Sequence, residues 1–348
     1  MTNNLFELHK QRGAKFVDVN GIQLPDVFTS LDEEYAAAHT GAVLYDSSAL
    51  GRLRLSGSTR IDFVDRMSTN DLASLTNGQG AATILTTPIA RIVDRITAYV
   101  RDDDLLVLTS AGASESVRAW FARHIFFNDD VQVHDVANEI GLISIYGKQA
   151  NEIASKLTGH DMSELSLHHW QSIDSDTLII RADAIAGDGF HIWTQSAERI
   201  GELWQAAIDA GALPIGERAF DLLRVESGRP RYGVELSKDF IPLEVALWDD
   251  VSFTKGCYTG QEIIARMESR KRLAKKLVGL RSVGAITPGK SIRADGRSIG
   301  KVTSAAKRPN GDSIALGVIK PTHAEIGTQV MVDGDPAVDG EVTSLPIP

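Results

Sequence analysis

The sequence predicts an α+β protein: two ferredoxin-like α/β subdomains followed by a small C-terminal antiparallel β-barrel. At 348 residues the chain is too long for one ordinary hydrophobic core. A strand–helix–strand–strand–helix rhythm recurs within the first 270 residues, which is the texture of ferredoxin-like halves, and it divides near 135–150. Beyond Arg272 the texture changes to short strands at intervals of about 8–12 residues with Gly and Pro between them, which reads as a barrel of about 75 residues. The boundary falls at 270–276, leaving an α+β region over 1–270 and a barrel over 277–348.

Each element has its own signal. Residues 31–42 read as a helix because Asp32, Glu33 and Glu34 put negative charge in its first turn and Gly41 stands at its end. Residues 52–57 alternate polar and apolar side chains, as a half-buried strand does. Residues 59–67 follow as an amphipathic helix with Ile61, Phe63, Val64 and Met67 on its apolar side. Strands are predicted over 81–85 and 91–100, around the turn marked by Pro88, and over 105–109. Helix 114–124, strand 140–146 and helix 150–157 come next. Strands 178–182 and 190–194 flank the turn Gly187-Asp188-Gly189, and helices 197–210 and 216–227 complete the α+β region, with Gly211 as a C-terminal cap. The barrel strands are 278–281, 291–293, 298–304, 315–319 and 329–332.

Composition narrows the function. Apolar content of 43% and charged content of 24% are those of a water-soluble globular chain. One cysteine excludes an intrachain disulfide and fits a reducing compartment. The first ten residues lack a basic segment followed by an apolar one, and no apolar run approaches the roughly 20 residues that span a bilayer. A cytoplasmic protein is expected. The formal net charge of −10 argues against general nucleic-acid binding. The one basic cluster, Arg270-Lys271-Arg272 with Lys275-Lys276, reads as a solvated linker.

Several chemistries are excluded by spacing. Gly256 and Gly260 stand too close for a phosphate loop, and Gln261 occupies the place of its lysine. The adjacent pair His168-His169 lacks the spacing of zinc ligands, so no metal site is expected. No nucleophile elbow or dinucleotide fingerprint occurs.

Three constellations remain. The stretch Lys255-Gly256-Cys257-Tyr258-Thr259-Gly260-Gln261-Glu262 holds the single cysteine just before a predicted helix. The positive end of that helix, with Lys255 and Arg266, favours thiolate over thiol, although a lone cysteine is more often structural. Asp94 sits in the aliphatic strand Ile92-Val93-Asp94-Arg95-Ile96, where it either faces solvent or points into a cavity to hold a protonated ligand nitrogen. Residues 224–233 gather Arg224, Glu226, Arg229, Arg231 and Tyr232 around a Gly-Arg-Pro turn. Arg224 and Glu226 read either as a helix-end ion pair or as part of a site, and the exposed arginines suit an anionic tail such as a polyglutamate.

These residues carry a resemblance. Gly41-Ala42-Val43-Leu44-Tyr45-Asp46-Ser47-Ser48, Ser68-Thr69-Asn70-Asp71-Leu72 and Leu223-Arg224-Val225-Glu226-Ser227-Gly228 with Tyr232-Gly233 resemble segments of the glycine-cleavage T-protein superfamily, nearly end to end. The octapeptide at 255–262 resembles the YgfZ-like branch of that superfamily, folate-binding proteins tied to iron–sulfur protein maintenance. The resemblance implies a three-domain cloverleaf around a central folate channel, with tetrahydrofolate or a derivative as cofactor. It implies folate contacts at Asn70, Asp94, Asp188, Arg224, Glu226, Arg231 and Tyr232. Where the transferases carry a second acid, this chain has Arg95. Where their pterin-reading glutamate stands, it has Gly187, with Asp188 one residue away.

Two main readings follow. The first is an accessory factor for assembly or repair of iron–sulfur enzymes, such as a tRNA methylthiotransferase, with client or assembly proteins as partners. Cys257 is then its functional thiolate, and Lys255, Tyr258 and Gln261 shape its surroundings. The alternative is a tetrahydrofolate-dependent aminomethyltransferase or related one-carbon transferase in which Cys257 is incidental. A folate-binding scaffold without chemistry is a third. The octapeptide and Gly187 favour the first reading.

Overall fold

The computed structural model describes residues 4–348. Two compact units share the chain: one holds the chain up to Leu85 with 94–220 and 254–259, the other 86–93, 221–253 and 260–348.

Two sheets form the first unit. One has five strands in the order Gly80–Thr86, Ile92–Val100, Leu105–Thr109, Gly51–Ser56, Gln132–Asp135. The other has six, in the order Trp170–Ser172, Thr177–Arg181, Asp188–Thr194, Gly141–Gly147, Val43–Asp46, Leu213–Ile215. Strand periodicity separates the latter's two faces. Ile143, Ile145, Ile179, Phe190 and Ile192 pack under Ile153 of helix Ala150–Thr158 and Trp204 of helix Ala197–Asp209. The alternate residues Leu142, Leu178, Ile180 and Trp193 turn the other way and meet Tyr99, Leu106 and Leu108 of the five-stranded sheet. Each such aliphatic side chain contributes about 1.5–3 kcal/mol by leaving water.

A closed six-stranded antiparallel barrel dominates the second unit. Its order is Lys276–Ser282, Ser313–Ile319, Arg297–Lys307, Ser291–Ala294, Gln329–Val332, Val338–Thr343. The last strand, absent from the sequence expectation, closes the cylinder by pairing with both Gln329–Val332 and Lys276–Ser282. Leu280, Ile292, Val302, Ile319, Val330 and Val342 fill the interior. The α+β class with a C-terminal barrel therefore stands as expected.

Several elements escaped the sequence reading: the helix Asn4–Gln11, the hairpin Lys15–Val19 with Ile22–Val27, and four short strands, Val43–Asp46, Gln132–Asp135, Trp170–Ser172 and Leu213–Ile215. Glu34, read from the sequence as an acid of the first helical turn, is buried. Its Oε1 accepts from the backbone N–H groups of Phe28 (2.6 Å) and Thr29 (3.1 Å), and its Oε2 from that of Gly216 (2.9 Å). Without that carboxylate three backbone donors, that of Gly216 in the interior, lose their acceptor.

Candidate functional site

Asp94 is the first candidate. Along strand Ile92–Val100 burial alternates at the start, with Ile92, Asp94 and Ile96 inward and Val93 and Arg95 partly exposed. The carboxylate is therefore on the aliphatic face at 0% exposure, against the simpler expectation that it meets solvent. Its Oδ2 accepts from the backbone N–H of Ser110, just beyond strand Leu105–Thr109, at 3.0 Å. Its Oδ1 is buried with no hydrogen-bond partner among the described residues. Burial raises the acid to about 7, against the hydrogen bonds from Ser110 and Arg95 and the charge of Arg95. The neighbouring Arg95 guanidinium pairs with Asp183 at 2.7 Å. A carboxyl group of this kind changes protonation near neutral pH, and one of its oxygens is buried without a hydrogen-bond partner among the described residues.

The octapeptide has a different organisation from the one its sequence suggests. Lys255 does not stand over the thiol as a free charge. Its ammonium is 2% exposed and donates to Asp65 Oδ1 (2.8 Å) and to the backbone carbonyls of Asp65 (2.7 Å), Asn70 (2.7 Å) and Ser68 (3.3 Å). Helix Arg60–Met67 ends there, where unsatisfied carbonyls and the negative end of the dipole attract a cation. Burial lowers the Lys255 pKa, and Asp65 opposes that shift. The ammonium also lies 5.6 Å from the ring centre of Tyr258, a buried residue whose phenol is pushed up to about 12 by desolvation. Cys257, between them in sequence, is exposed. Lys255 and Tyr258 are thus anchors of this segment. Lys255→Met is expected to cost about 3 kcal/mol in a urea melt, since it leaves Asp65 and three carbonyls without their cation. An unchanged midpoint would remove the anchoring role.

Gln261 begins helix Gln261–Arg270, which lies in the second unit. Gly260 before it adopts φ +88°, and a Cβ there would lie 2.8 Å from Thr86 Oγ1 and 2.9 Å from the Thr87 carbonyl oxygen. That position therefore admits glycine alone.

Asn70 serves the turn after helix Arg60–Met67. Its Nδ2 donates to the Ala82 carbonyl (2.9 Å) and its Oδ1 accepts from Asp71 N–H (3.0 Å). Asp188 opens strand Asp188–Thr194, where its carboxylate is bound by Arg181 and by Asn151 Nδ2 at 2.7 Å. Each of its oxygens is engaged by a neighbour in the sheet or helix. Gly187 adopts φ +55°, and a Cβ on it would fall 2.4 Å from the Gly147 carbonyl carbon.

In the second unit Arg224 and Glu226 do not pair with each other. Two positions apart on helix Glu217–Ser227, their side chains diverge. Arg224 is buried and donates to Asp221 Oδ1 (2.6 Å) and Ser304 Oγ (3.0 Å). Glu226 meets Arg308 at 3.3 Å. Both tie the helix to its own unit. Arg231 reaches Asp221 at 3.1 Å with 42% of its side chain exposed, and Tyr232 beside it is half-buried.

Comparison with known proteins assigns the chain. Residues 5–255 match the model of the GCVT N-terminal domain and residues 275–347 that of the glycine cleavage T-protein C-terminal barrel domain. The chain belongs to the glycine-cleavage T-protein family. A putative chloroplastic transferase of Arabidopsis thaliana is 34% identical over 92% of this chain and 74% of its own length. An aminomethyltransferase of Bacillus subtilis is 32% identical over 94% of this chain and 93% of its own. The crystal structure of a glycine cleavage system aminomethyltransferase T from Bartonella henselae superposes with a TM-score of 0.89 at 24% identity, over 99% of this chain and 96% of that one, and bears on the fold alone.

These matches overturn the iron–sulfur accessory reading. Relatives 30–32% identical over 94% of the chain are named aminomethyltransferases, and their similarity supports the superfamily without singling out its YgfZ-like branch. Neither iron–sulfur partners nor a link to tRNA modification is shown by these similarities. The folate cofactor expected from the sequence accords with T-protein family membership. Among the described residues no helix is long and apolar enough to cross a membrane.

Proposed function

We propose that this T-protein family member is a tetrahydrofolate-dependent aminomethyltransferase or a closely related one-carbon transferase. Folate binding belongs to the α+β region over residues 1–270, with its two subdomains meeting near 135–150, and residues 277–348 form a separate barrel domain. The reading rests most heavily on Asp94, an inward carboxyl group with one fixed oxygen and one unpartnered oxygen.

The residues present fit a folate in part. An N–H donor answers the open Oδ1 of Asp94, whereas no side chain at position 187 can read a pterin edge. Tetrahydrofolate, when bound, supplies amine nitrogens that carry the one-carbon unit. Asp94 holds or releases a proton at Oδ1, and its raised pKa of about 7 makes both states accessible at neutral pH. Ser110 N–H fixes the other oxygen so that the carboxyl group does not rotate away. The aliphatic neighbours Ile92 and Ile96 exclude water from it. Within the second unit, Arg231 and Tyr232 present a partly exposed cation and ring of a kind that suits an anionic group. Asn70 and Lys255 position the turn after Met67, and Cys257 takes no part.

The test is calorimetric titration with tetrahydrofolate, followed by an assay of ammonia released from an aminomethyl thioether in its presence. Binding, together with ammonia release that survives Cys257→Ser, is the expected result. Failure of either binding or folate-dependent release would discard the transferase reading.

A further inference from the structure

Tyr99 of strand Ile92–Val100 packs against Leu142, Ile180 and Trp193, so its side of the strand looks toward the six-stranded sheet of the first unit. Arg95 lies on that same side and Asp94 on the other, because side chains alternate along a strand. The Arg95 guanidinium donates at 2.7 Å to Oδ2 of Asp183, which stands just beyond strand Thr177–Arg181 of the facing sheet. Both side chains keep about a fifth of their surface accessible, 18% for Arg95 and 21% for Asp183. Ala182 and Ala184 on either side of Asp183 add no bulk around it.

Two imidazoles converge on the same carboxylate. His168 Nε2 lies 4.0 Å from Asp183, and His168 has φ +62°, in the left-handed region that favours glycine. Backbone strain of this kind collects where a side chain must be aimed. His191 Nδ1 shares a hydrogen bond of 2.7 Å with Ser144 Oγ, which also contacts Ser47 Oγ, so this ring is tied to the interior. Burial depresses its pKa to about 4 against the charge of Asp183, which leaves it neutral at pH 7. A carboxylate fixed beside a guanidinium presents two acceptors and then a donor in one row. The complementary row is the edge of a 2-amino-4-oxopyrimidine: the amino group and N3–H donate, and O4 accepts. A pterin carries that edge, and so does guanine. Charge-assisted bonds in a fixed planar arrangement select it by register.

We propose that Asp183, held by Arg95, accepts from the 2-amino group and N3–H of the folate's pterin ring while Arg95 donates to its O4. Asp183 lies four residues before Gly187, where no side chain can make such a contact. Neither Asp183 nor its pairing with Arg95 was singled out by the sequence. The inference rests on the folate cofactor alone. It uses neither one-carbon transfer nor Asp94, which faces away from this pair.

Pterin and lumazine are the probes, titrated into the full chain at pH 7 and followed by their own fluorescence. Lumazine has an oxygen in place of the 2-amino group and so turns an acceptor toward Asp183. Pterin should bind more tightly by about tenfold to a hundredfold, the range for one charged hydrogen bond made or lost. In Asp183→Asn the side-chain amide can donate to the lumazine oxygen. The preference should then fall to about threefold or less, with pterin weakened and lumazine not. A general defect in folding would weaken both alike. Should Asp183→Asn melt early because Arg95 has lost its partner, Arg95→Gln/Asp183→Asn removes both charges together and should lose the preference equally. Guanosine should bind more weakly than pterin, and guanosine binding as tightly would overturn the assignment to a pterin. A pterin preference unchanged in both variants, or tetrahydrofolate binding without any pterin binding, would overturn the inference. Binding of neither would discard the folate itself. An intact preference without folate-dependent ammonia release would discard the transferase reading and leave this one standing.

Discussion

Asp94→Asn should remove folate-dependent transfer while making the protein more stable at alkaline pH. A positioned proton carrier with a pKa near the working pH contributes about 10²–10⁴-fold to a rate, and the amide cannot take up or release that proton. The loss should appear chiefly in kcat, with a smaller loss of tetrahydrofolate affinity. Stability moves the other way. The acid has an ordinary value of 3.8 and is raised by burial to about 7, so the folded state binds this proton more tightly than the unfolded chain does. The resulting stabilisation is fully present below about pH 4 and is lost as pH rises through about 7, because ionised Asp94 must then remain in an aliphatic interior. Asparagine stays neutral throughout. Its advantage over the parent should therefore be small at or below about pH 4, reach roughly 1–2 kcal/mol at pH 5, and level off at about 4 kcal/mol above pH 7, on the order set by a shift of about three pK units. Taking the difference between the two proteins at each pH cancels the other titrating groups, among them buried His191, whose pKa burial depresses to about 4. A variant with parental turnover would remove Asp94 from the chemistry. A stability difference that does not change with pH would show that its carboxyl group is not buried as described.

The same residue marks how far the sequence could be read. An acid within Ile92-Val93-Asp94-Arg95-Ile96 is conspicuous, but aliphatic residues on both sides of the alternation leave the choice of face to the register. Packing settles it, with Ile92, Asp94 and Ile96 on one side. The barrel was legible because its strands are short, β-rich and separated by Gly and Pro. Its closing strand was not, since Val338-Asp339-Gly340-Glu341-Val342-Thr343 carries two acids and a glycine and is fixed by partners on either edge. Strands of three or four residues, such as Trp170–Ser172 and Leu213–Ile215, have too few positions to show a period. Lys255 illustrates a further limit. Next to Cys257 in sequence it reads as a cation that activates a thiol, yet its acceptors are Asp65, Ser68 and Asn70, nearly two hundred residues away. Proximity along the chain said nothing of where the ammonium would find oxygen, whereas burial required that it find some.

Gly187→Glu, which restores the residue type that the transferases carry in this loop, should unfold the first unit rather than improve folate binding. Position 187 has φ +55°, a left-handed conformation that costs any L-residue about 1–2 kcal/mol. A Cβ there would also lie 2.4 Å from the Gly147 carbonyl carbon, 2.6 Å from its oxygen and 2.6 Å from Lys148 N. All three are backbone atoms, so no side-chain rotation relieves the overlap. That backbone joins strand Gly141–Gly147 to helix Ala150–Thr158, and Gly147 N–H donates to the Ala186 carbonyl at 2.9 Å. Displacing it disturbs both elements and the Ile153 packing beneath them. The combined penalty should exceed about 4 kcal/mol, the range reserved for disrupted cores and strained backbone. Gly187→Ala carries the same Cβ without the charge and should lose nearly as much, which separates steric overlap from any effect of the carboxylate. If the glutamate variant instead folds with a parental melting temperature and binds tetrahydrofolate more tightly, the loop is free to accept the transferase side chain. If it fails as expected, the backbone at 147–148 and the glycine at 187 belong to one arrangement, and a folate in this protein is recognised without that contact.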